Sequence, residues 1–251
     1  MVNAILVGAC GKMGNNVAER AKSDDQINIV AGIDKFNNGA DFKVFTDFCE
    51  LNIKADVIID FSNPALLDDM LDYAIKNRLP IVIATTGFSD LQIEKIKESA
   101  KIIPIFFTFN MSVGVNLLCS LAKKAAGILG DGFDIEIVEK HHNQKLDAPS
   151  GTAIMLANSL NSVFDDKLSY EYDRHSKRQK RPKNEIGIHS VRGGTIVGEH
   201  DVIFAGCDEV ITLSHAAYSK QVFATGALKA AKFLVKMPCG LYDMNDIMNF
   251  N

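Results

Sequence analysis

The segment His141-His142-Asn143-Gln144-Lys145-Leu146-Asp147-Ala148-Pro149-Ser150-Gly151-Thr152 crowds two imidazoles and an ammonium together, followed by a turn. Imidazoles and ammonium groups move protons and pair with anions, so their clustering at one junction suits acid/base work. Asp147-Ala148-Pro149-Ser150 has turn composition, and Ser150 is placed to cap a helix beginning near Gly151. The backbone N–H groups of Gly151 and Thr152 would then lie at a helix N-terminus, which favours a carboxylate or phosphate. Taken singly, loop histidines are commonly surface polar residues and such a serine commonly only caps. Crowding into one segment favours the chemical reading.

The neighbouring elements would hold that segment in place. The alternating apolar run Phe133 to Val138 predicts a strand before it, and Ala153 to Leu160 predicts a helix after it. Chemistry at the junction of a strand and a helix sits on a loop that rigid elements position.

A second chemical candidate lies at the N-terminus. Val2 to Val7 predicts a strand, Gly8-Ala9-Cys10-Gly11-Lys12-Met13-Gly14 a turn, and Asn15 to Lys22 a helix. Glycines here let backbone approach a pyrophosphate, whose charge the helix N-terminus favours. The spacing is G-x-x-G-x-x-G, with Cys10 at the usual second-glycine place, so the turn alone would also serve a plain βαβ unit. The next predicted strand, Ile27 to Ile33, ends in Asp34, about 20 residues beyond Gly14, the spacing of an acid that bonds an adenosine ribose. Together these elements point to a dinucleotide. Lys35 follows directly and could meet a 2′-phosphate, so both NADH and NADPH stay open.

The β-α-β rhythm continues. Strands are predicted at 56–60, 81–84 and 102–107 and helices at 64–77 and 91–100, with 36–51 read as loop. About five parallel strands in a doubly wound sheet follow from this alternation. The turns at 61–64 and 85–87 fall at carboxyl ends of strands, where open α/β sheets bind ligands. Beyond a helix at 113–129 strands dominate, at 185–191, 195–204 and 209–214, before a helix at 220–236. The expected architecture is a Rossmann-like parallel sheet with a second α+β unit whose sheet is antiparallel or mixed.

Composition narrows the function classes. The 251 residues are 47% hydrophobic with a formal net charge of −4, which suits a globular protein and not a general nucleic-acid binder. The one strongly basic run, Arg174 to Lys183, reads as a mobile, solvated loop. No apolar stretch is expected to approach the roughly 20 residues of a membrane span, and no signal pattern opens the chain, so the expected location is cytoplasmic. The 5 cysteines have no C-x-x-C spacing and read as reduced thiols, and no catalytic metal is expected.

The run Glu136 to Ala153, EIVEKHHNQKLDAPSGTA, resembles the signature of the dihydrodipicolinate (4-hydroxy-tetrahydrodipicolinate) reductase family. Asp60-Phe61-Ser62-Asn63-Pro64, Thr85-Thr86-Gly87-Phe88, Asn110 to Asn116, Val191 to His200 and Gly240 to Met244 resemble further pieces of its pattern. Ala84 stands where the family usually has a glycine, and Phe109 where a small residue commonly precedes the asparagine. The resemblance implies reduction of 4-hydroxy-tetrahydrodipicolinate to tetrahydrodipicolinate by NADH or NADPH, in diaminopimelate and lysine biosynthesis. It implies His141 and Lys145 as the catalytic pair, with His142, Lys145, Gly151 and Thr152 holding a small dicarboxylate substrate. The implied cofactor contacts are Gly8, Gly11, Lys12, Met13, Gly14, Asp34, Lys35, Phe61, Thr85, Thr86, Gly87, Phe109, Asn110 and Met111.

The resemblance also implies a discontinuous dinucleotide domain at 1–112 and 221–251, a substrate and tetramerisation domain at 113–220, and a homotetramer. A nucleotide-sensing protein without turnover is the alternative from another class. It would be expected to lose the acid/base pair that is present here.

Overall fold

The computed structural model describes residues 1–37 and 39–249. Asn38, in the stretch expected to be loop, and Phe250 and Asn251, at the end of the expected first domain, lie outside them. In chain order the elements begin β1 (Val2–Val7), α1 (Lys12–Lys22), β2 (Ile27–Ile33), β3 (Lys43–Phe45), β4 (Val57–Asp60) and α2 (Leu67–Asn77). There follow β5 (Ile81–Ile83), α3 (Asp90–Ser99), β6 (Pro104–Phe107), α4 (Val113–Leu129), β7 (Asp134–His141) and α5 (Gly151–Asn161). The chain closes with β8 (Ser169–Glu171), β9 (Glu185–Arg192), β10 (Gly198–Ala205), β11 (Val210–Ala217), α6 (Gln221–Leu234), β12 (Gly240–Tyr242) and α7 (Met244–Asn249). Two compact units result, Met1–Val113 with the chain from Lys220 onward, and Gly114–Ser219.

The first unit is a parallel sheet of 7 strands in the order β12-β6-β5-β4-β1-β2-β3. Its central strands are apolar on both faces because both faces are covered. Ala4 and Leu6 of β1 join Val57 and Ile59 of β4 in one core with α1 and α6. Ile5 and Val7 join Ile58 and the α2 residues Leu67, Met70, Leu71 and Ala74 in the other. The strand order reverses direction between β1 and β4, so the loops after these two strands diverge at the position where such sheets receive ligands.

Seven strands replace the expected five or so. The loop expected at 36–51 contains β3, which pairs with β2, and the expected closing turn contains β12, which pairs with β6. Each extra strand has 3 residues, too few to carry a period, and is strand only because an edge of the sheet offers it hydrogen bonds.

The second unit is a mixed sheet of 5 strands, β11-β10-β7-β9-β8. β10 runs antiparallel to β11 and β7, while β9 runs parallel to β7 and β8. One face packs Ile135 and Ile137, Ile186 and Ile188, and Val202 and Phe204 against Leu118, Cys119 and Ala122 of α4 and Leu156, Ala157 and Leu160 of α5. The opposite face shows Glu136, Val138 and Lys140 of β7 beside their register partners Ile203, Asp201 and Glu199 of β10. On it Lys140 Nζ lies 3.1 Å from Glu199 Oε2 and 3.3 Å from Asp201 Oδ2.

Two further expectations are corrected. The basic run is not simply solvated. Arg174 bonds Glu136 at 2.8 Å, and Arg181 donates to Glu136 Oε1 at 2.9 Å and to the Ile135 and Glu185 carbonyls at 3.1 and 2.7 Å. Glu136 reaches both arginines across Gly187, where a Cβ would collide with the carboxylate. The helical stretch Val113–Gly132 is by length and composition apolar enough to cross a membrane, contrary to the sequence expectation. Lys123 and Lys124 interrupt it and its small residues mask its hydropathy, while its Leu118, Cys119, Ala122 and Ala126 stripe packs into the core of the second unit.

Candidate active site

In the first unit the turn after β1 is shaped by close approach. Gly8 has φ 75, and a Cβ on it would collide with the Phe61 carbonyl at the end of β4. A Cβ on Gly14 would strike the carbonyls of Gly8 and Ala9, so the first turn of α1 lies directly against the loop. Gly11 is the N-cap of α1 and offers no side-chain acceptor, and no acid occupies the first turn. Lys12, Met13 and Gly14 therefore begin a helix whose N-terminal dipole is not neutralised by carboxylates of its own first turn. Asp34, just past β2, accepts the Cys10 N–H at 2.9 Å, which brings an acid to the edge of the loop. Glycines that only a bare backbone can fill, an uncapped helix start and this acid fit a dinucleotide.

The other expected cofactor contacts are spread over the same carboxyl ends of the strands. Thr85 is buried, and its hydroxyl accepts the Ser62 N–H at 2.9 Å next to Phe61. Thr86 and Gly87 are more open to solvent beyond it, Gly87 with φ 85. Lys35 is exposed beside Asp34. Phe109 is exposed and meets Phe107 edge-on at 5.2 Å, and Asn110 accepts the Ser112 N–H at 2.8 Å. Met111 buries its side chain in the core, which leaves only its backbone for a ligand.

A residue given no role of its own from sequence underlies these loops. Asp60 at the end of β4 is buried and accepts the Ser62 N–H at 2.9 Å and its hydroxyl at 2.5 Å. Burial raises its pKa, opposed by the hydrogen bonds from Ser62 and Thr85.

In the second unit the core-facing side of the sheet changes from apolar to polar toward the end of β7. After Ile135 and Ile137 the same face carries Glu139 and His141, joined by Arg192 of β9 and His200 of β10. Glu139 is fully buried. Its carboxylate accepts a two-pronged Arg192 guanidinium at 2.8 and 2.7 Å, the Ser150 N–H at 3.1 Å, and lies 2.6 Å from His141 Nδ1. Burial alone would raise its pKa, but Arg192, Ser190, His141 and Ser150 overcome that and hold it at about 2. Burial lowers the His141 pKa, with Glu139 opposing.

The loop from β7 into α5 is held by the same group. Arg192 also donates to the Asp147 carbonyl at 2.7 Å. Ser150 caps α5 by accepting the Ala153 N–H at 3.2 Å, and its hydroxyl lies 3.1 Å from His200 Nε2. His200 is buried and its pKa is pushed down to about 4, by burial first and then by the neighbouring His141. Its ring meets that of His141 edge-on at 5.3 Å. Gly151 is exposed, with no atom of the described residues outside its own turn within 4 Å of where a Cβ would stand, and Thr152 follows it in the first turn. Lys145 reaches forward to Asp147 at 2.8 Å, and the Lys145 N–H donates to the carbonyl of His142 at 3.1 Å, closing the turn.

This arrangement can hold a proton on His141 and receive a carboxylate at α5. His141 ends β7, His142 and Lys145 lie on the loop that follows, and Gly151 and Thr152 open α5. Glu139, Arg192 and His200 were missed as functional residues. Glu139 had a signal, its spacing two before His141 on a strand, which puts both on one face. Arg192 and His200 stood in the segment resembling the family's pattern, but only strand register brings them to Glu139 and His141.

Comparisons with known proteins follow this division. Residues 2–111 match the family described as dihydrodipicolinate reductase, N-terminus, and residues 114–248 that described as dihydrodipicolinate reductase, C-terminus. The chain is 53% identical over 248 residues to the 4-hydroxy-tetrahydrodipicolinate reductase of Caldanaerobacter subterraneus, covering 99% of this chain and 98% of that protein. It is 46% identical to the protein of the same name from Clostridium novyi, with 99% and 98% covered. A solved structure of dipicolinate-bound dihydrodipicolinate reductase from a Paenisporosarcina species superposes with TM-score 0.83 at 27% identity, over 98% of this chain and 99% of that one. A myo-inositol dehydrogenase from Lactobacillus casei, at TM-score 0.63 and 14% identity over 98% and 90%, shares the fold. With both halves matched and relatives alike from end to end, the chain belongs to the dihydrodipicolinate reductase family.

Proposed function

We propose that the protein reduces 4-hydroxy-tetrahydrodipicolinate to tetrahydrodipicolinate with NADH or NADPH, in the biosynthesis of diaminopimelate and lysine. The observation that carries this reading is His141, held by a buried carboxylate, one loop before the N-terminus of α5. A relative that binds dipicolinate, a flat dicarboxylate, supports a small dicarboxylate substrate.

Bound NAD(P)H supplies the hydride. The chain's own part is positioning and proton supply. Gly8, Gly11, Lys12, Met13 and Gly14 receive the pyrophosphate against backbone, Asp34 accepts from the ribose hydroxyls, and Lys35 offers a charge to a 2′-phosphate. Phe61, Thr85, Thr86, Gly87, Phe109, Asn110 and Met111 line the remaining cofactor contacts at the strand ends. In the second unit the Gly151 and Thr152 N–H groups, His142 and Lys145 hold the carboxylates. Loss of the 4-hydroxyl as water gives the conjugated imine, and His141 and Lys145 supply the proton that must follow hydride addition to it.

The domain roles are part of this proposal: residues 1–112 and 221–251 bind the dinucleotide, and 113–220 bind substrate and build the oligomer. The open face of the second sheet, with Val138 and Ile203 among charged neighbours, supports a homotetramer formed through it. Five cysteines, none of them paired, fit a cytoplasmic setting. The deciding experiment is spectrophotometric oxidation of NADH and NADPH with enzymatically generated 4-hydroxy-tetrahydrodipicolinate. Turnover with at least one cofactor is expected, and its absence with both in a folded, cofactor-binding protein would overturn the reading.

A further inference from the structure

Among the described residues, the polar groups bonded to the Glu139 carboxylate can all donate to it. Arg192 presents two N–H groups, Ser150 its backbone N–H, Ser190 its hydroxyl, and His141 its Nδ1 at 2.6 Å. An ionised carboxylate can only accept. His141 must therefore carry its proton on Nδ1 when neutral, which leaves Nε2 as the atom that exchanges protons. That atom lies on the Gly198 side of the ring, where a Cβ would stand 3.1 Å from it, so a bare backbone keeps Nε2 uncrowded.

We propose that Glu139 is the positioning residue of the reaction: clamped by Arg192, it fixes the tautomer of His141 and, through the Ser150 N–H, ties that imidazole to the carboxylate-receiving start of α5. The inference rests on the proposed reductase reading for its kinetic consequences, but the tautomer is a property of the protein alone. One buried carboxylate thus sets two things at once, which ring nitrogen gives the proton and where the helix terminus lies.

The charge of Glu139 has a second effect. The groups acting on His141 are Glu139 on its own strand, Lys145 on the following loop, which pairs with Asp147, Arg192 from β9 and His200 from β10, with His215 of β11 beside His200. Burial, Lys145 and Arg192 all lower the pKa of His141, while Glu139 raises it. Removing that charge makes protonated His141 scarcer at neutral pH.

The test is Glu139→Gln with Glu139→Asp beside it. An amide can accept the Ser150 N–H while its NH2 faces Nδ1, so the glutamine should move the imidazole proton to Nε2. Long-range proton–nitrogen NMR spectra read the tautomer, the His141 signals being identified by their loss in His141→Asn. We expect the Nδ1–H form in the unmodified protein and the Nε2–H form in Glu139→Gln. With the tautomer lost, kcat should fall about 10²-fold, the alkaline limb of its pH profile should move to lower pH, and NAD(P)H affinity should hold. Glu139→Asp should keep the Nδ1–H form and recover most of kcat.

An Nε2–H tautomer in the unmodified protein overturns the proposal. So does a Glu139→Gln variant that melts lower yet keeps its kcat and pH profile, because that is what a purely structural carboxylate does. If Glu139→Gln fails to fold, the tautomer of the unmodified protein and the kcat of Glu139→Asp still decide. If the unmodified protein shows no turnover at all, the reductase reading fails, and the NMR result still stands for or against Glu139.

Discussion

Asp34 has two jobs that a substitution can separate. Its Oδ2 already accepts the Cys10 N–H at 2.9 Å, so one oxygen shapes the glycine turn and the other is left to accept from a ribose. Asp34→Asn can keep the bond to Cys10 but turns the second oxygen into a donor, while Asp34→Ala loses both. If the acid serves the ribose, calorimetry should show NADH affinity falling about tenfold or more in both variants, as expected for a lost charge-assisted hydrogen bond. Normal affinity in Asp34→Asn with weakened affinity in Asp34→Ala would reduce Asp34 to a loop tie. At this scale the sequence was legible where chemistry is local: the spacing from Gly14 to Asp34 and the run from His141 to Lys145 are continuous along the chain. Arg192 stood in a segment that resembles the family's pattern, but its pairing with Glu139 was not legible. Parallel pairing sets His141 opposite Arg192, and register between distant strands leaves no mark on either stretch alone.

At the scale of elements, α5 and β9 each depend on a glycine for a different reason. Gly151 is the first helical residue, exposed, and preceded by Ser150 in an extended conformation with ψ 152, the backbone that proline demands of its predecessor. Gly151→Pro should therefore preserve the helix and delete one N–H from its N-terminus. A raised KM for the dicarboxylate at an unchanged melting temperature is expected, and an unchanged KM would remove Gly151 from the carboxylate site. Gly187, by contrast, is spanned by the Glu136 side chain on its way to Arg174, Arg181 and His189. Gly187→Ala should displace that carboxylate and cost about 1–3 kcal/mol, lowering the melting temperature while leaving kcat near normal. An unaltered melting temperature would mean that the anchored arginines contribute little. The basic run is exposed loop as expected except at Arg174 and Arg181, whose anchoring was missed because the acid that holds them sits among sheet residues far back in the chain.

The whole molecule divides its titrating groups unevenly, and that division predicts how it responds to acid. The doubly wound sheet was legible because buried parallel strands are apolar on both faces, whereas edges such as β3 and β12 take their structure from a neighbour. The placement of the histidines was legible too: all 6, at 141, 142, 175, 189, 200 and 215, belong to the second unit. Burial holds His200 neutral to about pH 4, against 6.5 when unfolded, and lowers His141 and His215 in the same direction. A depressed folded pKa gives stability that is whole above the unfolded value and is lost as pH falls toward the folded one. His200 alone should thus weaken the second unit by about 2 kcal/mol between pH 7 and pH 5. Glu139, at about 2 against 4.5, adds its own loss only below pH 4.5. Asp60 in the first unit has the opposite sign, since a raised pKa favours the fold at low pH. Hydrogen exchange corrected for intrinsic rates should accordingly show protection falling from pH 7 to pH 5 in β7 and β10 but not in β1 and β4. His200→Asn should remove most of the fall. An equal loss of protection in both units, or an undiminished loss in His200→Asn, would show that the buried histidines do not govern acid stability.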